Sequence, residues 1–172
     1  MYSLNTKNML RNTLLLAVFA SLTACGFHLR GNIPLSEGIK NMFVIAPDGT
    51  FKDQLEEVLV KAGAEIAANQ AGADVILNVV RADSQRKVGT LDERGKVSSY
   101  NFQFNVHYSL NDPDDEFIRV LTKLRESRRY DFNPELVLES ESEEAELLSS
   151  MEQDIALRMV RQLSTITDYQ PK

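Results

Sequence analysis

The clearest hydrophobic pattern in the chain is an alternation over residues 99–110. Apolar or aromatic residues occupy every second position of this segment: Tyr100, Phe102, Phe104, Val106, Tyr108 and Leu110. All the positions between them are polar. Because successive side chains of a strand point to opposite faces, this pattern predicts a strand with one buried face and one open, polar face.

Other segments carry shorter patterns. An apolar run at residues 42–46 is closed by a Pro-Asp-Gly turn at 47–49, which predicts a strand ending in a turn. Residues 51–62 place apolar side chains at helical spacing and predict an amphipathic helix. Residues 75–86 open with a β-branched run and residues 117–130 alternate weakly, so both segments are predicted to be strands.

The last predicted element is a long helix. Ser140 followed by Glu143 is typical of a capping box, and one apolar stripe then continues to Ile166. Polar loops are predicted at residues 89–96 and 111–116, between the last three strands. The order strand, helix, three strands, helix predicts an α+β two-layer sandwich, with a four-stranded mixed sheet and two helices on one face.

The N-terminus has the layout of a secretory signal peptide. Lys7 and Arg11 precede a short apolar run at residues 14–22, which is too short for the roughly 20 residues of a spanning helix. The next residues, Leu-Thr-Ala-Cys at 22–25, resemble the lipobox of bacterial lipoproteins. This resemblance implies cleavage before Cys25, a diacylglycerol on its sulfur and an acyl chain on its amine. An ordinary signal peptide that leaves a free cysteine is the alternative.

This interpretation divides the chain into four parts. They are a cleaved signal peptide at residues 1–24, a lipidated segment at 25–40, a single α+β domain at 41–167 and a C-terminal tail at 168–172. A glycine, not an aspartate, follows Cys25, which resembles lipoproteins sorted to the outer membrane. Since the chain has no second cysteine, disulfide and Cys-x-x-Cys chemistry are excluded, and no cofactor beyond the covalent lipid is expected.

Charge narrows the class of partner. Removal of the signal peptide leaves 17 basic against 25 acidic residues, a net charge of −8, which argues against a nucleic-acid partner. Basic runs at residues 81–96 and 119–129 nevertheless predict that cations gather at one end and edge of the sheet. Arginine suits phosphate because its planar group donates two hydrogen bonds at once. Protection of an edge strand against aggregation explains the same charges, and both interpretations stay open.

The sequence carries no catalytic motif. It lacks the GxSxG, HExxH, P-loop and glycine-rich nucleotide patterns. His107 lies on the predicted polar strand face, where a plain surface role is a simpler interpretation than a general base. Neither enzymatic activity nor a metal site is predicted.

Several motifs together resemble the LptE family of lipopolysaccharide-assembly lipoproteins. Residues 25–31, Cys-Gly-Phe-His-Leu-Arg-Gly, follow the lipobox and are similar to the mature N-terminus of the family. The order of elements, the Arg-Gly-Lys turn at 94–96 before a tyrosine-led strand, the Phe-Asn-Pro break at 132–134 and the amphipathic last helix are also similar. The resemblance covers essentially the whole mature chain.

The resemblance implies a non-enzymatic lipoprotein on the periplasmic side of the outer membrane. Family members plug the β-barrel LptD, assist its assembly and bind lipopolysaccharide, so the implied partners are LptD, lipopolysaccharide and outer-membrane lipid. The basic turn of the family corresponds to Arg94 and Lys96, with Arg86 and Lys87 completing the candidate lipopolysaccharide site. A basic residue that family members can carry near the start of the last helix has no counterpart in residues 138–141.

Two other functions are compatible with the residues. The first is an accessory or scaffold lipoprotein of another periplasmic transport complex, without a lipid ligand. The second is a small periplasmic hydrolase that uses His107 as its base.

Overall fold

The computed structural model describes residues 34–133, 135 and 137–171, with residues 137–139 described by their backbone alone. It contains five strands, two α-helices and two short 3₁₀ helices. The strands are β1 Asn41–Ile45, β2 Glu65–Ile66, β3 Val75–Leu91, β4 Val97–Asn111 and β5 Phe117–Asp131. The α-helices are α1 Thr50–Lys61 and α2 Val137–Leu163, and the 3₁₀ helices are Glu37–Ile39 and Gln70–Gly72.

The strands form one mixed sheet in the order β2-β1-β3-β4-β5. β1 runs parallel to β2 and β3, whereas β3, β4 and β5 form an antiparallel meander. The α+β class with two helices and a mixed sheet is therefore confirmed. The predicted count of four strands is wrong, because β2 was missed. A two-residue strand that pairs Glu65 with Asn41 is too short to show alternation in a sequence.

The core lies between one face of the sheet and both helices. The predicted alternation in β4 is confirmed, since Phe102, Phe104, Val106, Tyr108 and Leu110 all belong to the buried core cluster. β3 contributes alternate residues of its first half, and the helices contribute their apolar stripes. The largest fully buried residues of the two helices are Leu55, Leu59, Met151, Ile155, Met159 and Leu163. We call this side of the sheet the core face.

The opposite side, which we call the open face, carries the polar residues of β4. Asn101 is exposed, Gln103 and His107 are half-buried, and Asn105 and Ser109 are buried. The buried positions lie between the paired strands β3 and β5. Both α-helices pack on the core face, so neither of them covers the polar side of β4.

The start of α2 differs from the predicted capping box. The helix begins at Val137, so Ser140 is its fourth residue and not its cap. The buried Ser140 hydroxyl donates to the Asn133 carbonyl at 3.4 Å, and the Tyr130 hydroxyl donates to the Ser140 carbonyl at 3.1 Å. Ser140 therefore ties the first turn of the helix to the end of β5, and its sequence context resembles a cap only by spacing.

The two hairpin loops are shorter than predicted. β3 continues to Leu91 and β4 includes Asn111, which leaves residues 92–96 and 112–116 as loops. The pairing of β3 with β4 shifts register twice between Val88 and Leu91. These irregularities break the alternation from which a strand is predicted, so the end of β3 looks like a loop in the sequence.

The C-terminal segment returns to the beginning of the described chain. The Ser36 hydroxyl donates to the Ile166 carbonyl at 2.6 Å, and the Tyr169 hydroxyl donates to the Asp74 carbonyl at 3.4 Å. The approach is close at Gly38, where a Cβ atom would lie 2.1 Å from the Tyr169 carbonyl oxygen. Ile166 and Tyr169 both pack against the core.

Candidate functional site

The turn that joins β3 to β4 is organised by Asp92. Its carboxylate accepts hydrogen bonds from the backbone N–H groups of Arg94, at 2.9 Å, and Lys96, at 2.8 Å. The backbone N–H of Asp92 donates to the Lys96 carbonyl at 2.7 Å. Gly95 has a φ of +76°, a conformation that favours glycine. We call residues 92–96 the hairpin tip; its backbone is held by local hydrogen bonds.

Two of the four predicted ligand-binding residues lie together on the hairpin tip. The Arg94 side chain is 79% exposed, and its nearest acid is the Asp92 carboxylate, 3.5 Å away. Lys96 is exposed, and its side chain has no ionic partner among the described residues. The tip thus presents two solvated cations on a defined backbone, an arrangement that can bind a phosphate through charge-assisted hydrogen bonds.

The other two predicted residues lie on opposite faces of β3. Arg86 is on the core face, where its Nη1 donates to both carboxylate oxygens of Glu144, at 3.0 and 3.3 Å. Its guanidinium carbon also lies 4.8 Å from the centre of the Tyr100 ring. Lys87 is exposed and pairs with Asn101, on the open face. The structure therefore groups Arg94 with Lys96, holds Arg86 against α2, and places Lys87 on another surface.

The second basic run also divides between the two faces. The predicted adjacency of the three long strands is confirmed, but Arg119 donates to the Gln162 carbonyl of α2 at 2.9 Å. Arg128 hydrogen-bonds Asp154 and, at 2.9 Å, Ser150. These two arginines attach the edge strand β5 to α2 and are not available to a ligand.

The remaining cations of the second run join cations of the first run in transverse rows on the open face. One row contains Arg81, His107 and Lys123, the next Asp83, Asn105 and Arg125, and a more distant one Lys87, Asn101 and Arg129. Hydrogen bonding to Arg81 lowers the pKa of Asp83, which is the acid of the second row. Sequence reasoning missed this grouping, because only the strand register shows which residues share a row.

The family comparison decides which class of protein this is. A family model described as "LptE: Lipopolysaccharide-assembly" matches residues 39–163, most of the chain and nearly all of the sheet and helices. The chain belongs to the LptE family. No curated protein matches it.

Solved structures of lipoproteins share the LptE-type fold described above. An uncharacterized lipoprotein B from Nitrosomonas europaea is 25% identical with a TM-score of 0.67, covering 81% of this chain and 91% of that one. A minor lipoprotein from Acinetobacter baumannii is 21% identical with a TM-score of 0.62, covering 77% and 94%. The rare lipoprotein B from Shewanella oneidensis is 20% identical with a TM-score of 0.60, covering 73% and 92%. The last two similarities show the fold alone.

Other predicted features of this LptE-family chain have mixed outcomes. Cys25, the predicted lipidation site, lies outside the described residues. His107 has no hydrogen-bonding partner within the described part of the chain, and it lies between Arg81 and Lys123. A nucleophilic mechanism needs a hydroxyl or thiol hydrogen-bonded to its base, and His107 makes no such hydrogen bond among the described residues. Residues 34–133, 135 and 137–171 contain no group of three potential metal ligands and no helix long and apolar enough to cross a membrane.

Proposed function

We propose that this protein is an outer-membrane lipoprotein, acylated at Cys25, that plugs and assists the assembly of the LptD β-barrel and binds lipopolysaccharide on its way to the cell surface. The observation that carries the proposal is the LptE-family match over residues 39–163. The lipoprotein names of the structural relatives and the lipobox-like residues 22–25 support the acyl anchor.

A plug inside a barrel needs a hydrophilic surface, because the lumen of an outer-membrane barrel is polar. The polar rows of the open face and the charged hairpin tip meet this requirement. The second hairpin loop adds a run of exposed acidic residues at 114–116. Ion pairs and hydrogen bonds between β5 and α2 keep the domain compact without any partner. The protein is therefore suited to enter a wet lumen as a preformed unit.

The plug assignment predicts a stable complex. We expect the native lipoprotein, extracted in mild detergent through a C-terminal affinity tag, to copurify with a β-barrel protein of several hundred residues in a one-to-one ratio. Mass spectrometry of the purified complex would identify the barrel and its stoichiometry. Recovery of the lipoprotein without a barrel, under conditions that preserve other outer-membrane complexes, would favour the accessory lipoprotein without a lipid ligand.

For lipopolysaccharide we assign the main phosphate contacts to Arg94 and Lys96. Both are exposed on the hairpin tip, whereas Arg86 contributes only if its ion pair with Glu144 opens. Lys87 lies on the open face, about 15 Å or more along the strand from the tip at the usual rise per residue. Lys87 is therefore too far from the tip cations to share one phosphate with them.

Reversal of the two tip charges is expected to weaken lipopolysaccharide binding. Replacing Arg94→Asp together with Lys96→Asp removes two charge-assisted contacts of about 1.5–3 kcal/mol each and adds repulsion, so affinity should fall at least about 10-fold. Titration of the purified protein with lipopolysaccharide measures this change. The matched control is Lys61→Asp with Arg161→Asp, which changes the net charge equally at exposed positions of α1 and α2. Equal affinities of the tip and control variants would reject the tip assignment.

A further inference from the structure

The open face carries an exposed apolar patch at the end of the sheet nearest β1. Ile45, Val80, Val120 and Leu121 are 41%, 61%, 68% and 50% exposed. Ile45 pairs with Asn78 and Asn78 pairs with Ser109, and Val120 and Leu121 lie opposite Ser109, so these positions form one transverse row. Val80 lies two residues along β3 from Asn78, beside this row. At the usual strand spacing the row spans about 14 Å from β1 to β5. Clustered aliphatic side chains in water mark a binding surface more often than scattered ones do.

Two β-bulges build this patch. The β3–β4 register shifts between Val79 and Arg81, which leaves Val80 as an extra residue beside Tyr108 and His107 on one side. The β4–β5 register shifts between Tyr108 and Leu110, which sets Val120 and Leu121 opposite Ser109 on the other. Bulges re-aim side chains that regular pairing would send elsewhere. Both irregularities flank the same part of β4 and place aliphatic groups where alternation alone would give a polar surface.

A cationic cluster borders the patch. Arg81 and Lys123 occupy the next row, about 7 Å along the strands, and Arg125 the row after it. Lys123 has no hydrogen-bonding or ionic partner among the described residues, and Arg125 donates to the Asn105 side chain at 3.2 Å. Asp83, the acid of this cluster, is already hydrogen-bonded by Arg81. The cluster therefore contains three positive charges and a single carboxylate, which is already hydrogen-bonded.

We propose that this part of the open face binds an anionic amphiphile, with phosphate on Arg81, Lys123 and Arg125 and an acyl chain across Ile45, Val80, Val120 and Leu121. The cations and the apolar residues lie next to each other along the strands, as the phosphate and the acyl chain of a phosphorylated lipid do. The proposal rests on the proposed function, since it assigns the lipid portion of lipopolysaccharide to a surface of its own. From the His107 row to Val97 is about 34 Å along β4, so this site is separate from the hairpin tip.

Two pairs of substitutions separate the halves of the site. Lys123→Gln with Arg125→Gln removes head-group contacts, and Val80→Ser with Leu121→Ser removes apolar area. The matched control is Lys61→Gln with Arg161→Gln, which removes two cations from exposed positions of α1 and α2. All six residues are exposed, so each variant should unfold within about 2 °C of the wild type, because surface substitutions change stability little.

Titrations with lipopolysaccharide and with its deacylated form distinguish the contributions. We expect the affinity of the Lys123/Arg125 variant to fall about 10-fold for both forms. This corresponds to a loss of about 1.4 kcal/mol of binding free energy. The Val80/Leu121 variant should lose about fivefold for the acylated form only, because it removes apolar contact alone. The Lys61/Arg161 control should bind both forms within about twofold of the wild type, since its cations lie on the helices, outside the site.

The possible failures are separable. If only the tip variant loses lipopolysaccharide while both open-face variants bind like the wild type, the inference is wrong and the proposed function stands. If open-face variants keep lipopolysaccharide but no longer copurify with the barrel, the surface is a protein contact and the inference is again wrong. If the wild type binds no lipopolysaccharide, that part of the proposed function fails. In that case phosphatidylglycerol vesicles test the site on the open face. If the wild type binds the vesicles and both open-face variants lose this binding, the inference is supported. If the wild type does not bind the vesicles, the inference is wrong.

Discussion

Replacement of Phe104 by alanine is expected to lower the free energy of unfolding by about 3–5 kcal/mol. Phe104 is 2% exposed, and its ring centre lies 5.3 Å from that of Phe51 at an angle of 59°. This contact joins the middle of β4 to the first turn of α1. Truncation removes a large buried apolar surface and leaves a cavity that the surrounding core, shared by both helices, fills only in part.

Urea denaturation followed by circular dichroism measures this loss. The control is Val120→Ala, a truncation at a strand position that is 68% exposed, which should change stability by no more than about 0.5 kcal/mol. If Phe104→Ala and Val120→Ala shifted the unfolding midpoint equally, the packing of α1 on β4 described above would be incorrect.

Replacement of Cys25 by alanine is expected to release the protein from the membrane. The proposed acylation depends on the sulfur of this residue, and the chain has no other cysteine to substitute for it. Because several acyl chains together provide anchoring that one chain cannot, their loss should move the protein almost entirely from the membrane to the soluble fraction. Cell fractionation measures the loss of membrane association, and the intact mass of the purified chain measures the loss of the acyl chains.

A neighbouring substitution serves as the control. Thr23→Ala keeps a small residue in the lipobox-like segment and should leave both the acylation and the membrane fraction unchanged. A mature wild-type protein whose mass matches a free thiol at Cys25 would contradict the anchor. In that case an ordinary signal peptide explains the N-terminal segment.

The part of the fold that could be predicted is the part where one physical rule dominates. Twelve residues of strict alternation in β4 describe a strand between a core and solvent, and no competing interaction disturbs them. The helices α1 and α2 follow from apolar stripes for the same reason. Antiparallel order in the last three strands follows from short polar connections between them.

The missed features depend on contacts between distant segments. β2 exists because Glu65 and Ile66 meet the edge of β1, which no local pattern records. Ser140 looks like a helix cap by spacing, but its hydroxyl is directed to Asn133. In both cases tertiary hydrogen bonds override the local signal.

The candidate site shows the same division. Sequence reasoning identified the basic residues, but it could not determine which of them are engaged inside the fold. Arg86 and Lys87 are neighbours in the chain, yet alternation sends one to Glu144 and the other to the open face. The apolar patch was missed because the bulges beside Tyr108 and Ser109 interrupt the alternation that predicts which side chains share a face.

The hydrogen bond from Ser36 to Ile166 brings the two ends of the described chain together. Ends that adjoin one another make a domain almost cyclic. A short peptide link between them would leave every strand pairing in place, and the chain could then be opened at residues 92–96 without breaking the sheet. We therefore expect a circular permutant to keep the same sheet and helices, with its new termini at the turn between β3 and β4.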